Sequence, residues 1–338
     1  MSPQEAILAL NSFRDLSREQ SASVMRAIMA GEATPAQVGA ILTGLSMKGP
    51  KSQELAGFAA TMREFAVPFP HGLDGPCIDT CGTGGDGSGT FNVSTAAAFV
   101  VAGTGLPVVK HGNRSVTSRC GSADVLPALG ARLEIPPERM VAVLRSTGIA
   151  FLFAPLYHPA MKRVQGIRQE LGFRTVFNLL GPLTNPAGAR IQLLGVYHPD
   201  LIGTMAGVLR LLGTDRAMVV HGGGLDEITT TGPTRVAEIA EGGIREYTID
   251  PGDFGIPLSG LTDLQGGDAS ENARILEEVL SGENGAPRDA VLLNAGAAIY
   301  LGGIAGTLAG GIACAEEAID SGMALEKLRD FIDGTRGS

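Results

Sequence analysis

The sequence predicts an α/β protein: a small all-helical domain beside a larger α/β domain whose mainly parallel central sheet is flanked by helices. Three observations lead there. Helix signals fill the first 68 residues, short apolar runs then alternate with helical stretches, and five glycines crowd the first strand-to-helix junction. Alternating strands and helices demand crossover connections and hence parallel pairing.

In the helical part, Ser17-x-x-Gln20 and Thr34-Pro-x-Gln37 read as capping boxes, the second with proline at the first helical position. Val38, Ile41, Leu42 and Leu45 follow the i, i+3, i+4, i+7 pattern of one buried helix face, as do Leu55, Phe58, Ala59 and Met62. Pro68 and Pro70 close this region. Strands are expected at Cys77–Thr80, Leu106–Lys110, Ile149–Phe153, Ile191–Val196 and Ala217–His221. There is no internal repeat and no low-complexity linker.

At 338 residues, 44% hydrophobic and 18% charged, the chain buries a sizeable core and is not disordered. Its net charge of −9, from 26 basic and 35 acidic residues, opposes bulk attraction to nucleic acid or to an anionic membrane. An anionic substrate must then be held by local cations such as Lys110, Arg114 and Arg168. The four cysteines form no C-x-x-C pair and read as reduced thiols. Glu5, Arg14, Asp15 and Glu19 leave no signal-peptide core, and no apolar run reaches membrane-span length, so a cytoplasmic protein is expected.

Gly82, Gly84, Gly85, Gly87 and Gly89 let backbone N–H groups approach an anion, with a helix N-terminus behind them. Gly82-Thr-Gly-Gly-Asp-Gly87 matches the dinucleotide G-x-G-x-x-G. That reading wants an acidic residue after the next strand, where this chain has Lys110-His111 and then Asn113-Arg114. No Gly-Lys-Ser/Thr closes the loop as a Walker motif would. Asp86 inside the loop implies a metal or sugar hydroxyl as partner. Asn92 to Thr95 put polar side chains at the helix start, where free amide donors meet the anion and where plain N-capping is the alternative role. Asp226-Glu227, after Gly222-Gly-Gly224, offer adjacent hard oxygens suited to Mg²⁺, and Ser94 could add a hydroxyl. In isolation such a pair is more often a solvated turn. Arg168 lies off the apolar stripe of Met161, Val164, Ile167 and Leu171 and is either a solvated helix arginine or a carboxylate grip. His111 and His158 are as readily core histidines as ligand contacts. No Ser-His-Asp or Cys-His pattern appears, and no acid, base or nucleophile is assigned.

Gly-Thr-Gly-Gly-Asp-Gly, Asn-Val-Ser-Thr and Lys-His-Gly-Asn-Arg together resemble the anthranilate phosphoribosyltransferases of L-tryptophan biosynthesis. So do Thr34-Pro-Ala-Gln37, His158-Pro-Ala-Met161, Phe177-Asn-Leu-Leu-Gly-Pro-Leu-Thr-Asn-Pro186, Gly224-Leu-Asp-Glu-Ile228 and Asn294-Ala-Gly-Ala-Ala298, in order along nearly the whole chain. The resemblance implies transfer of a 5-phosphoribosyl group from phosphoribosyl pyrophosphate to the amine of anthranilate. It implies donor contacts at Gly82, Gly85, Asp86, Thr90, Asn92, Val93, Ser94, Thr95, Lys110, His111, Gly112, Asn113, Arg114, Ser118 and Ser122. Acceptor contacts would be Gly82, Asn113 and Arg168, with His111 and His158 lining the channel. Ser94, Asp226 and Glu227 would hold Mg²⁺, two ions per subunit. It also implies a homodimer, and a helical domain built from residues 1–68 and about 168–190 beside an α/β domain of 69–167 and 191–338. Where the family carries lysine and a small residue such as serine, this chain has Arg119 and Cys120. Two other readings stay open. A pyrimidine nucleoside phosphorylase shares the architecture, though the Asp-Glu pair and pyrophosphate-sized cradle count against it. A non-catalytic ligand- or nucleic-acid-binding relative is opposed by the acidic balance.

Overall fold

The computed structural model describes residues 1–115, 119–241 and 243–337. Four helices open the chain: α1 Pro3–Asn11, α2 Arg18–Ala30, α3 Pro35–Lys48 and α4 Ser52–Glu64. Both expected capping boxes form: Ser17 accepts from the Gln20 N–H while Gln20 returns the bond, and Thr34 and Gln37 do the same. The apolar stripes of α3 and α4 are fully buried. Beneath them Glu54, with no exposed side-chain surface, accepts from Lys48 Nζ at 2.9 Å and from the backbone N–H groups of Leu16 and Lys51.

The sheet has seven strands: β1 Ile78–Gly82, β2 Val108–Gly112, β3 Ile149–Phe153, β4 Ile191–Gly195, β5 Arg216–Gly222, β6 Thr234–Ala240 and β7 Gly243–Ile249. Their order is β3-β2-β1-β4-β5-β6-β7, parallel from β3 through β5, with β6 and β7 added antiparallel. The five expected strands are all present. The sequence reading missed β6 and β7 because Arg235, Glu238, Arg245 and Glu246 interrupt them, and an antiparallel edge ribbon needs no continuous apolar run. The remaining helices are α5 Val93–Gly103, α6 Ser122–Ala128, α7 Pro137–Thr147, α8 Ala154–Tyr157, α9 Lys162–Leu171, α10 Phe177–Leu180, α11 Leu201–Leu211, α12 Ala269–Leu280, α13 Ala286–Leu301, α14 Leu308–Asp320 and α15 Met323–Arg336.

Side chains alternate across the strands, so each strand serves two cores. Leu193, Met218, Val220 and Val236 pack with α5 and the C-terminal helices. Leu194, Val219, Ala237 and Ile239 join the core of α1–α4, to which α11 and Val164, Val176, Phe177, Leu179, Leu180 and Leu183 also belong. The chain leaves β1 for β2 and β3 on one side, then returns to place β4 on the other. The ends of β1 and β4 therefore flank the topological switch point, where open α/β sheets form their ligand crevice.

Candidate active site

Two glycines face each other across that crevice. Gly82 ends β1 in register with Gly195 at the end of β4, and the loop after β5 inserts Asp226 between them. A Cβ on Gly82 would lie 2.3 Å from Asp226 Oδ2, and one on Gly195 would lie 1.6 Å from the Asp226 carbonyl oxygen. Both positions therefore need glycine so that Asp226 can reach the first βα turn. There its Oδ2 accepts from the Gly84 N–H at 2.7 Å. Gly85, next along and at φ +77°, turns the chain toward Asp86, whose carboxylate accepts from the backbone N–H and hydroxyl of Ser88. Thr90 closes the loop by bridging to Gln265.

Helix α5 starts directly behind the loop. Asn92 does not cap it: its amide donates to the Cys120 carbonyl at 3.2 Å and accepts from Asn272 Nδ2 at 2.9 Å. Cys120 thus meets the site through its backbone, which any residue there could supply. Val93 is core, so only its backbone can serve a ligand. The Ser94 hydroxyl accepts from Lys110 Nζ at 3.1 Å, and its backbone N–H donates to Glu227. Buried Thr95 leaves its hydroxyl without a partner among the described residues.

Lys110 is no surface lysine: it is 4% exposed, and its ammonium donates to the Thr80 carbonyl as well as to Ser94. From there it faces Asp79 and Glu227. Burial pushes Asp226 up to about 7, reinforced by the Asp86 charge, and holds Glu227 well above the carboxylate range, reinforced by Asp226. One lysine does not supply the counter-charge these carboxylates would need, so their neutral acid forms are favoured. Among the described residues no three His, Cys, Asp or Glu side chains converge into a metal cage. Two carboxylates and a hydroxyl suit a hard cation whose remaining ligands are water and phosphate oxygens.

The loop after β2 carries the other donor candidates. A Cβ on Gly112 would meet Ser122 Oγ at 2.4 Å, which fixes Ser122 against the strand end. Asn113 accepts from the Arg114 N–H. The Arg114 guanidinium turns to Asp124 at 3.4 Å and Glu134 at 3.7 Å, and so is engaged by carboxylates. Ser118 lies outside the described residues.

Two of the acceptor candidates, His111 and His158, converge on one short stretch. Four consecutive carbonyls are each bound by a side chain from elsewhere: Gly181 by His111 Nδ1 at 3.2 Å, Pro182 by Gln192 Nε2 at 2.7 Å, Leu183 by Arg63 Nε at 2.7 Å, and Thr184 by His158 Nε2 at 3.0 Å. Next to them Asn185 Nδ2 donates to Asp79 Oδ2 and to the Val109 carbonyl. The two imidazoles lie 5.1 Å apart. Burial drives His111 down to about 3 and His158 down to about 4, so both are neutral. His111 Nε2 is buried without a partner among the described residues. Half-buried Arg168 stacks 5.5 Å from the Phe177 ring, and its guanidinium makes no ion pair among the described residues.

Sequence reasoning missed Gly195, Arg63, Gln192, Asn185 and Arg174. Only Gly195 left a signal, since a glycine closing an apolar strand implies close backbone approach. Arg63 and Gln192 are single polar residues inside helical or apolar context, Arg174 and Asn185 stand in loops, the latter within the Phe177–Pro186 run, and only the tertiary fold reveals what each of them binds.

The helical bundle and the α/β body that carries the crevice are the two domains of a glycosyl transferase family. Residues 4–66 match the helical bundle domain of the glycosyl transferase family and residues 74–325 match its a/b domain. The chain is 55% identical to the anthranilate phosphoribosyltransferase of Methanocorpusculum labreanum over 97% of its length and 96% of that protein's. It is 55% identical to that of Moorella thermoacetica, over 94% of each. The crystal structure of the Thermus thermophilus enzyme superposes with a TM-score of 0.92 at 44% identity, covering 98% of this chain and 99% of that one. The Saccharomyces cerevisiae enzyme in complex with phosphoribosyl pyrophosphate and Mg gives 0.90 at 32% identity, covering 99% and 98%. The chain belongs to the anthranilate phosphoribosyltransferases. It is an enzyme that transfers the 5-phosphoribosyl group to the amine of anthranilate, releasing pyrophosphate, in L-tryptophan biosynthesis. Among the described residues no helix is long and apolar enough to cross a membrane.

Proposed function

We propose that phosphoribosyl pyrophosphate lies in the crevice between β1 and β4, its pyrophosphate against the glycine loop and the start of α5, while anthranilate lies against His111, His158 and Arg168. The observation that supports this most is the convergence of Asp226 and Glu227 with Gly84 and Ser94, elements far apart in the chain. Ser94, Asp226 and Glu227 would hold Mg²⁺, two ions per subunit, with Asp86 beside them. When bound, the ion supplies charge that neutralises the departing pyrophosphate. The loop amides do the same from the protein side without reorganising. Gly82, Gly85, Thr90, Asn92 and the backbone of Val93 frame the ribose phosphate, with Thr95 offering its free hydroxyl. Gly112, Asn113 and Ser122 complete the wall among the described residues.

The bond from ribose C1 to pyrophosphate breaks with its electron pair left on the pyrophosphate oxygen as the anthranilate nitrogen brings its lone pair to C1, and that nitrogen then gives up its proton to the released pyrophosphate or to water. Because the Gly181 carbonyl can only accept, His111 carries its hydrogen on Nδ1 and presents a lone pair at Nε2. That lone pair would receive an amine N–H and aim the nitrogen at C1. Arg168 would grip the ortho carboxylate through parallel N–H bonds. No side chain is assigned as a strong base.

The test is the fall of anthranilate fluorescence with donor and Mg²⁺. Asp226→Asn with Glu227→Gln should shift the Mg²⁺ requirement upward while leaving the anthranilate KM near wild type. An unchanged Mg²⁺ titration would refute the metal assignment. Equilibrium dialysis with pyrophosphate present should count two ions per subunit. The enzyme would associate as a homodimer through its helical domain, where Leu8, Phe13 and Met47 expose large apolar surfaces. Light scattering of Phe13→Glu/Met47→Glu should then report a monomer. A cytoplasmic location fits the four free cysteines.

A further inference from the structure

Arg174 has no part in the roles above, yet from the exposed turn after α9 it reaches the glycine loop. It follows α9, whose C-cap Gly172 adopts φ +65°, and it precedes Thr175, whose N–H is held by Asn178 Oδ1 at 3.0 Å. Its base is thus anchored on both sides. From there the guanidinium stacks 4.5 Å from the Tyr197 ring centroid and donates from Nη2 to the Gly85 carbonyl. Tyr197 is itself tied to the loop, since its N–H donates to Thr83 Oγ1 at 3.0 Å and the Thr83 N–H donates to the Gly195 carbonyl at 2.9 Å. The loop is gripped at consecutive residues: Thr83 by the end of β4, Gly84 by Asp226, and Gly85 by Arg174.

We propose that Arg174 is a positioning residue that holds the Gly85–Asp86 peptide in its donor-binding orientation. In a trans peptide the C=O and the following N–H point in opposite directions. Fixing the Gly85 carbonyl on Arg174 therefore turns the Asp86 N–H to the other side of the loop. Gly85, at φ +77°, belongs to the residue type whose flanking peptides flip most readily, so the loop does not fix that plane alone. A guanidinium suits the task because it can stack flat on Tyr197 and still direct an N–H in its plane, which an ammonium cannot. Arg174 lies six residues beyond Arg168, so one short turn ties the acceptor side to the donor loop.

The proposal rests on reading the glycine loop as the donor cradle, and its test separates the two. Hydrogen exchange of peptides spanning 82–90 in the substrate-free protein reads the loop directly, and steady-state kinetics read the donor. Arg174→Ala should speed exchange of these amides about tenfold and raise the KM for phosphoribosyl pyrophosphate about tenfold, the loss expected of one charge-assisted hydrogen bond. The anthranilate KM should stay unchanged, with Tm within about 2 °C of wild type. Arg174→Lys should recover part of the exchange protection. Unchanged exchange, or a rise confined to the anthranilate KM, overturns the proposal. Faster exchange with an unchanged donor KM keeps the staple and overturns the donor reading of the loop. Should Arg174→Ala fail to fold, Tyr197→Leu removes the stacking platform and should show the same pattern in weaker form. No change in exchange there overturns the proposal as well.

Discussion

One hydrogen bond of 2.7 Å, from the Gly84 N–H to Asp226 Oδ2, joins the first βα turn to the loop after β5 across 142 residues of chain. Asp226 reaches that far only because Gly82 and Gly195 carry no side chain. This contact ties the carboxylate that would meet a metal directly to the loop whose amides would meet a phosphate.

Gly82→Ala puts a methyl 2.3 Å from Asp226 Oδ2 and must push the carboxylate aside. Displacement by about 1 Å costs on the order of 100-fold in rate. We expect kcat/KM to fall by about that factor with Tm little changed. Gly84→Ala meets no atom within 4 Å but would hold alanine at φ +65°, costing roughly 1–2 kcal/mol of stability. Thermal melts and kinetics of the pair should therefore separate in opposite senses.

Arg168→Ala should raise the KM for anthranilate about 10- to 100-fold and leave that for the sugar donor within about twofold, since hydrogen bonds to charged groups contribute about 1.5–3 kcal/mol. Equal effects on both substrates would remove Arg168 from the acceptor.

His158 is 7% exposed and its pKa is lowered to about 4 by burial, against about 6.5 unfolded. Between those values the unfolded chain binds more protons, so this histidine's contribution is fully present above pH 6.5 and is lost as pH falls toward 4. His111, lowered to about 3, acts in the same direction. Asp79, raised to about 6, acts in the opposite one: its contribution is present below its unfolded value near 3.8 and is lost as pH rises through 6. The clean measurement is therefore a difference. Between pH 7 and 5, His158→Gln should lose about 2 kcal/mol less stability than wild type in denaturant titrations. Identical losses would contradict a neutral buried His158.

Lys110→Met leaves Asp79 and Glu227 without their buried cation and should destabilise by about 3–5 kcal/mol. Adding Asp79→Asn should restore part of that, because the two sites share one electrostatic environment. Strict additivity in a double-mutant cycle would show that they do not couple.

The helical start, the five parallel strands and the glycine cradle were legible because each rests on local pattern: capping boxes, apolar periodicity, glycines between strand and helix. β6 and β7 were not, since Arg245 and Glu246 make an edge ribbon look like a polar loop. Within the site, Asp226 and Glu227 could be suspected from three preceding glycines, but their partners could not. Gly84, Ser94 and Lys110 meet them only through the β2-β1-β4-β5 order. Lys110 looked like a cation free to touch phosphate, whereas its register on β2 buries it under the loop. Arg63, Gln192 and Arg174 act on backbone carbonyls, which leave no trace in a sequence.

The stretch from Gly181 to Thr184 spends its four carbonyls on His111, Gln192, Arg63 and His158, which stand on two strands, a helix of the N-terminal bundle and the loop beyond α8. Such a segment cannot drift alone: a change in its path would orphan donors in four places at once. Under the proposed acceptor placement, variation that retunes the enzyme toward other aromatic acceptors would be steered away from this backbone and onto side chains around it, with Arg168 and its stacking partner Phe177 the most accessible dial.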